Sequence, residues 1–457
     1  MKIAKINLSI DPADLADKFS KKNDMIFLDS CSGYSENIGR FSIISYNPKI
    51  GIRARKGITE VLENGEVVEF IKTDPVELID MYIKRFSGEA IDEKYSYLPF
   101  LTGFMGFISY DYRDYIEEIC SDTHDDINMW DVYMMYYDRA IIYDNRDCSY
   151  HIVASGNFDD ENKVIEDILS DIRSNNIMNN SFSVDIESFK SNFEKKEYMD
   201  SVKSVKDYIR DGKVYQINLS QRFSVDFSGD SFAYYKALRK INPSPFSAYI
   251  GGCDFNIASS SLERFIKVAG NHIETRPIKG TIPRTDSEGK NAINKETLRN
   301  SLKDRSELLM IVDLERNDLS KICDTGSVKV PELFSIEEYP TVYHLVSSVV
   351  GSLKESISFK EIIHSTFPGG SITGAPKISA MNVIEKLEKN KRGIYTGSIG
   401  YYDVRSNVDI NIVIRTAVIK EETLYINVGG GIVWDSIEEM EFQETLDKGK
   451  ALFKAFK

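Results

Sequence analysis

The first 173 residues are punctuated by short apolar runs, among them Met25-Ile26-Phe27-Leu28 and Ala140-Ile141-Ile142-Tyr143, each cut off by turn signals. Runs of that length bury as strands and are too short to fill a helix. A strand-rich interior is therefore expected, and 25 Tyr with 24 Phe suit one. Helices are expected near Pro75–Phe86 and Asp160–Ile172. The polar stretch Ser174–Ser181 reads as a linker or surface loop.

Beyond it, Lys196–Asp211 places Met199, Val202, Val205 and Ile209 at helical spacing, with Gly212 as a stop. Val214–Leu219 alternates as a strand, and Ser306–Leu314 is so apolar after Glu307 that burial is expected. The Gly-rich loop Gly369–Gly374 precedes a helix that begins at Pro376 and runs through Met381, Ile384 and Leu387. The strands Asn411–Ile419 and Leu424–Val428 lead into a C-terminal helix from about Ser436. The class is α+β, with much antiparallel sheet.

At 457 residues the chain exceeds the size at which one core usually stops growing, so two domains or one large layered body is expected. A net charge of −14 excludes sequence-independent nucleic-acid binding and obliges any anionic ligand to find local cations or a metal. Five scattered cysteines without a Cys-x-x-Cys pair point to a reducing compartment and away from a zinc site. No run approaches the ~18 apolar residues of a membrane span, and the N-terminus lacks a signal-peptide core. The expectation is a cytoplasmic protein with neither membrane nor nucleic acid as partner.

Lys279, in Pro277–Ile282, and Glu263, in Ser261–Phe265, lie on strand-turn segments rather than a helix face. An amine that attacks carbon and an acid that protonates a leaving oxygen together make a substitution site. Glu441, Glu444 and Lys448 share one helix face, and a solvated charged face is the ordinary reading of that spacing. Glu307, beside an apolar run, with Asp304 a turn earlier, needs a partner. Two carboxylates from separate helices with water elsewhere suit Mg²⁺, and spacing alone leaves both readings open. Arg415 is either a snorkelling edge arginine of an alternating strand or a fork for a carboxylate. Tyr395 offers the same group a hydroxyl. Gly429-Gly430-Gly431 is either a turn or a close approach to an anion, as is the loop before Pro376. His344, amid apolar residues, reads on its own as a core histidine.

Together these segments resemble the chorismate-utilising enzymes: anthranilate synthase and aminodeoxychorismate synthase component I, and the isochorismate and salicylate synthases. The resemblance rests on Asp211–Phe223, Arg276–Arg284, Asp304–Leu319, Phe367–Lys377, Tyr395–Tyr401, Gly429–Val433 and Glu441–Lys448, with looser similarity at Phe27–Ser30 and Gly103–Tyr112. It implies large antiparallel sheets packed together with helices outside, an N-terminal region over 1–180 and a chorismate-binding catalytic region over 190–457. It also implies Mg²⁺ on Glu307 and Glu444, with Asp304 and Glu441 behind them. Chorismate would be held by Arg415, Tyr395, Gly280, Thr281 and Gly429–Gly431, with Lys448, Gln216 and His344 nearby. Isochorismate and salicylate synthases carry a water-activating lysine where this chain has Gln216, so amination rather than hydration is expected. Lys279 matches the nucleophile of aminodeoxychorismate synthases, where anthranilate synthases usually carry alanine. The implied activity is 4-amino-4-deoxychorismate formation for 4-aminobenzoate and folate synthesis, with Lys279 covalent and Glu263 as acid. Ammonia would come from a glutamine amidotransferase subunit, since no glutaminase signature is present. The alternatives are anthranilate synthase component I and a non-catalytic tryptophan-binding subunit. Ser30, Ile38, Gly39, Arg40, Phe41, Pro245, Phe246 and Ser247 match tryptophan-binding positions of relatives, with Asp29 in place of their glutamate. Leu262 replaces the proline usual before the acid.

Overall fold

A computed structural model of the chain describes residues 1–31, 38–88, 91–119, 121, 123–174, 180–339 and 342–456. Cys120 and most of the expected linker, residues 175–179, lie outside the described residues. Two largely antiparallel sheets of twelve strands each form the body. Met25–Asp29 pairs with Phe246–Gly251 in the first sheet, and Gly103–Ile108 pairs with Ser398–Asp403 in the second. Residues 1–180 and 190–457 therefore contribute strands to both sheets, and the ladders run across the sequence division.

The sheets face each other over an apolar core in which Ile43, Ile250 and Val418 of the first meet Met105, Phe107 and Tyr133 of the second. Helices cover both outer faces. Pro75–Phe86, Leu302–Ile322 and Phe359–Thr366 close the second sheet, where Val76, Leu308 and Ile363 are buried. Glu161–Arg173, Ser231–Ile241 and Glu438–Lys454 close the first, through Ile168, Phe232 and Leu452. The result is a helix–sheet–sheet–helix sandwich, the mixed α and β architecture expected.

Covering on both faces explains why the strand Gln216–Gly229 does not alternate in burial over its first half: Gln216 through Phe223 are all buried. The run Ser306–Leu314 departs from expectation. It is helical, so only Leu308, Ile311 and Val312 turn inward, and Leu309 is 45 % exposed. Cys31, Cys148, Cys253 and Cys323 are all free thiols. Among the described residues no helix is long and apolar enough to cross a membrane.

Candidate active site

The site forms where the chain crosses from one sheet to the other. It leaves the first sheet at Ser261 and enters the second at Arg264, so Leu262 and Glu263 make the corner. Leu262 is buried there. The return crossing runs from Asn411 to Thr416 and ends on Arg415, whose φ of 51° lies in the left-handed region. Asn411–Ile419 is therefore not one alternating strand, and Arg415 sits at a strained corner rather than a sheet edge. The two corners are tied together: Ile412 N–H donates to the Glu263 carbonyl at 2.9 Å and Ser260 N–H to the Arg415 carbonyl at 3.1 Å. Burial lowers the Arg415 guanidinium to about 10. Its Nη1 reaches Asn242 Oδ1 at 3.4 Å.

Lys279 stands on the strand Ile278–Pro283, whose pairing with Val342–Ser352 slips between Lys279 and Thr281. The slip leaves Gly280 unpaired at φ 71°, a bulge of the kind that re-aims a neighbouring side chain. Lys279 Nζ donates to the Ser371 carbonyl at 3.1 Å. The Ser371 side chain and the Ile278 N–H both hydrogen-bond the Glu263 carboxyl. Ser371 thus bridges amine and acid, a role that a reading of its loop as an anion-binding helix start missed; a hydroxyl within a Gly-rich loop was the available signal. Burial raises Glu263 above the usual carboxylate range against Ser371 and Lys279. Burial likewise lowers Lys279, opposed by Glu307 and Glu263, although the side chain keeps some access to solvent. Both shifts favour the neutral forms.

The acids face this pair. Asp304 and Glu307 lie a turn apart on Leu302–Ile322, and Glu441, Glu444 and Lys448 on Glu438–Lys454. A Cβ on Gly430 would stand 3.5 Å from both Glu441 Oε2 and Glu444 Oε1, and 3.8 Å from Lys448 Nζ. One on Gly280 would stand 2.8 Å from Asp304 Cγ. The glycines therefore let strands and acids pack closely. Lys448 Nζ lies 2.7 Å from Glu444 Oε1. Ser436 donates to Glu441 Oε1 at 2.6 Å, while buried Glu441 Oε2 lacks a partner among the described residues. Burial raises Glu307 and Glu441; it acts on Glu444 too, but Lys448 holds that group below its usual value. Among the described residues no three Asp, Glu, His or Cys side chains converge into a ready metal cage.

Gly429–Gly431 touch in turn Tyr395, the acids and Gln216: a Cβ on Gly429 would lie 2.8 Å from Tyr395 Oη, and the Gln216 amide fills the space beside Gly431. Burial raises the Tyr395 hydroxyl to about 12, and Gln216 Oε1 is buried without a partner among the described residues. His344 Nδ1 pairs with Thr281 Oγ1 at 2.9 Å, while Nε2 is buried without a partner among the described residues. Burial, reinforced by Arg415, lowers His344 to about 3. His344 is thus beside the site and neutral, not simply packed in the core.

Apart from this site, a cavity of about 360 Å³ is lined by Ser30, Gly39, Arg40, Phe41, Pro245, Phe246 and Ser247, with Ile38 outside its wall. Asp29, on the same wall, is engaged by Arg239 at 2.6 Å, Tyr235 at 2.9 Å and Ser42 at 3.1 Å.

An acid–amine pair, a carboxylate cluster and a half-buried arginine are the groups an enzyme needs to act on a small anionic molecule. The chain belongs to the chorismate binding enzyme family, whose model matches residues 34–454. It is 38% identical over 442 residues to anthranilate synthase component 1 of Aquifex aeolicus (strain VF5), covering 94% of this chain and 88% of that one. It is 36% identical over 441 residues to aminodeoxychorismate synthase component 1 of Bacillus subtilis (strain 168), covering 94% and 91%. The crystal structure of anthranilate synthase component I from Streptococcus pneumoniae TIGR4 matches with a TM-score of 0.80 at 32% identity, covering 90% of this chain and 92% of that one. Relatives of both names stand at similar identity, so the protein is a chorismate-converting enzyme whose product must be argued from the site.

Proposed function

We propose that the protein is aminodeoxychorismate synthase component I. The observation that carries this reading is Lys279, an amine biased toward its neutral form and linked through Ser371 to Glu263, an acid that burial biases toward its own neutral form. An alanine there, as the resemblance gives for anthranilate synthases, would leave no nucleophile beside the acid.

Neutral Lys279 Nζ attacks C2 of chorismate, both ring double bonds shift in concert (to C1=C6 and C4=C5), and the C4–O bond breaks as Glu263 protonates the departing hydroxyl to water. Ammonia then attacks C4, both double bonds shift back, and the C2–N bond breaks to release Lys279. The Glu263 carboxylate takes back the proton shed on amination. The sum is chorismate plus ammonia giving 4-amino-4-deoxychorismate plus water, with the enolpyruvyl group retained. Arg415 and Tyr395 hold the enolpyruvyl carboxylate, and Gly280, Thr281 and Gly429–Gly431 allow close approach. Neutral His344 keeps Thr281 oriented. Gln216 cannot act as a general base, so water is not activated. Ammonia comes from a glutamine amidotransferase subunit, and release of 4-aminobenzoate for folate synthesis falls to a separate lyase.

The acids fit Mg²⁺: all four are hard oxygen donors, one carries an unpartnered buried oxygen, and this ion takes only one or two carboxylates beside water and substrate. Glu307 and Glu444 would hold it, Asp304 and Glu441 would support them, and the bound ion would supply Lewis acidity at the ring carboxylate. In the same reading tryptophan occupies the cavity at Ser30, Arg40 and Pro245–Ser247.

Purified protein, chorismate, ammonium and Mg²⁺ test the assignment. A product that becomes 4-aminobenzoate only after a lyase is added is expected; direct formation of fluorescent anthranilate would establish the other branch.

A further inference from the structure

Arg392 is 4 % exposed and uses every one of its five N–H groups. Nε donates to Glu388 Oε2 at 2.9 Å and Nη2 to Glu388 Oε1 at 2.7 Å. Nη2 also donates to the Asn218 carbonyl at 2.6 Å. Nη1 donates to the Ile372 carbonyl at 3.0 Å and to Thr396 Oγ1 at 3.2 Å. With no N–H left over, this guanidinium has nothing to offer a ligand. Glu388 is equally occupied, since its Oε1 also accepts from Ser220 N–H and Ser220 Oγ, each at 2.8 Å.

The three segments so joined all enter the site. Ile372 follows Ser371, which bridges Lys279 and Glu263. Asn218 donates its own side chain to the Ile372 carbonyl at 3.0 Å and hydrogen-bonds Tyr395. Thr396 follows Tyr395, whose hydroxyl lies against Gly429. A buried ion pair is a poor device for stability, because desolvation offsets the attraction. A rigid planar fork is a good device for fixing several carbonyls at once. We propose that Arg392, oriented by Glu388, is a positioning residue that sets the Ser371 turn, and through it the alignment of Lys279 with Glu263. This rests on the acid–amine reading of the site.

A double-mutant cycle on kcat tests it, with near-UV circular dichroism checking the fold. Arg392→Lys is expected to lower kcat about 100-fold, Ser371→Ala about 10-fold, and the double variant about 100-fold rather than 1,000-fold. A merely structural arginine gives independent losses that multiply, and that result would overturn the proposal, as would kcat within threefold of wild type in Arg392→Lys. Should Arg392→Lys not fold, Ser220→Ala takes its place, since it removes one hydroxyl from Glu388. Its loss is expected to shrink in the Ser371→Ala background, and equal losses in both backgrounds would overturn the proposal. Wild-type protein that makes anthranilate overturns the functional reading alone, because the cycle is then read on that product. Protein inert toward chorismate overturns both.

Discussion

Lys448 Nζ lies 2.7 Å from Glu444 Oε1 and donates to the Gly429 carbonyl at 3.0 Å, so one ammonium joins the acid cluster to the glycine strand. Lys448 holds Glu444 below the usual carboxylate range while burial raises Glu307 and Glu441. If Glu444 holds Mg²⁺, dialysis against EDTA should abolish turnover and Mg²⁺ should restore it. Glu444→Gln should raise the Mg²⁺ concentration for half-maximal activity by about 10-fold or more. Activity of the dialysed enzyme with no divalent cation would remove the metal from the scheme.

Lys279→Ala should leave the strand and its bulge intact but take away the amine proposed as nucleophile. Aminodeoxychorismate formation should fall by about 10²–10⁴-fold with little change in melting temperature. Glu263→Gln, which cannot donate the proton, should lose a similar factor. Discontinuous assays with a coupling lyase measure both. Unchanged product formation by Lys279→Ala would eliminate the covalent step.

Much of this site was readable in the sequence because its chemistry sits in short contiguous segments. The helical faces of Asp304/Glu307 and Glu441/Glu444 follow from local spacing, whereas Lys279 and Glu263 were picked out by residue type and by the family resemblance of their segments. What was not legible is long-range. Ser371 meets Lys279 from a loop 92 positions away, and no local period announces such a contact. The corner at Arg415 was misread because Asn411–Thr416 alternates as a strand does, although its middle crosses between sheets. Leu309 was assigned to the core because a run of apolar residues hides which of them a helix turns outward.

Gly280 is fixed by two independent constraints. Its φ of 71° disfavours any side chain, and a Cβ there would meet Asp304 Cγ and Leu298 Cδ1, both at 2.8 Å. Gly280→Ala should therefore lower stability by about 1–3 kcal/mol and push the helix Leu302–Ile322 off the bulge. Because Asp304 and Glu307 ride on that helix, the Mg²⁺ requirement proposed above should rise together with the loss of stability. Urea unfolding and a Mg²⁺ titration of activity measure the two effects; a variant with wild-type values in both would contradict the packing.

The cavity beside Arg40 and Phe246 gives a test that needs no turnover. A ligand bound only by the folded chain raises its stability by RT ln(1 + [L]/Kd), about 2.7 kcal/mol at 100 Kd. Tryptophan should raise the melting temperature, and Ser247→Trp, which fills the cavity, should remove that response. An identical melting temperature with and without millimolar tryptophan would reject this occupant.

His344 makes the protein sensitive to acid in a predictable direction. Burial and the neighbouring Arg415 lower its folded pKa to about 3, against 6.5 for an ordinary histidine. Below 6.5 the unfolded chain binds a proton that the folded chain refuses, so stability is full above that pH and falls as the pH drops towards 3. The loss attributable to this one side chain is on the order of a few kcal/mol. His344→Gln keeps a hydrogen-bonding group for Thr281 and cannot be protonated in this range. The difference between wild-type and variant unfolding free energies, measured in urea from pH 7 to pH 4, should narrow or change sign on acidification. Parallel pH curves for the two proteins would mean that His344 titrates in the folded state as it does in the unfolded chain, and would reject the shift.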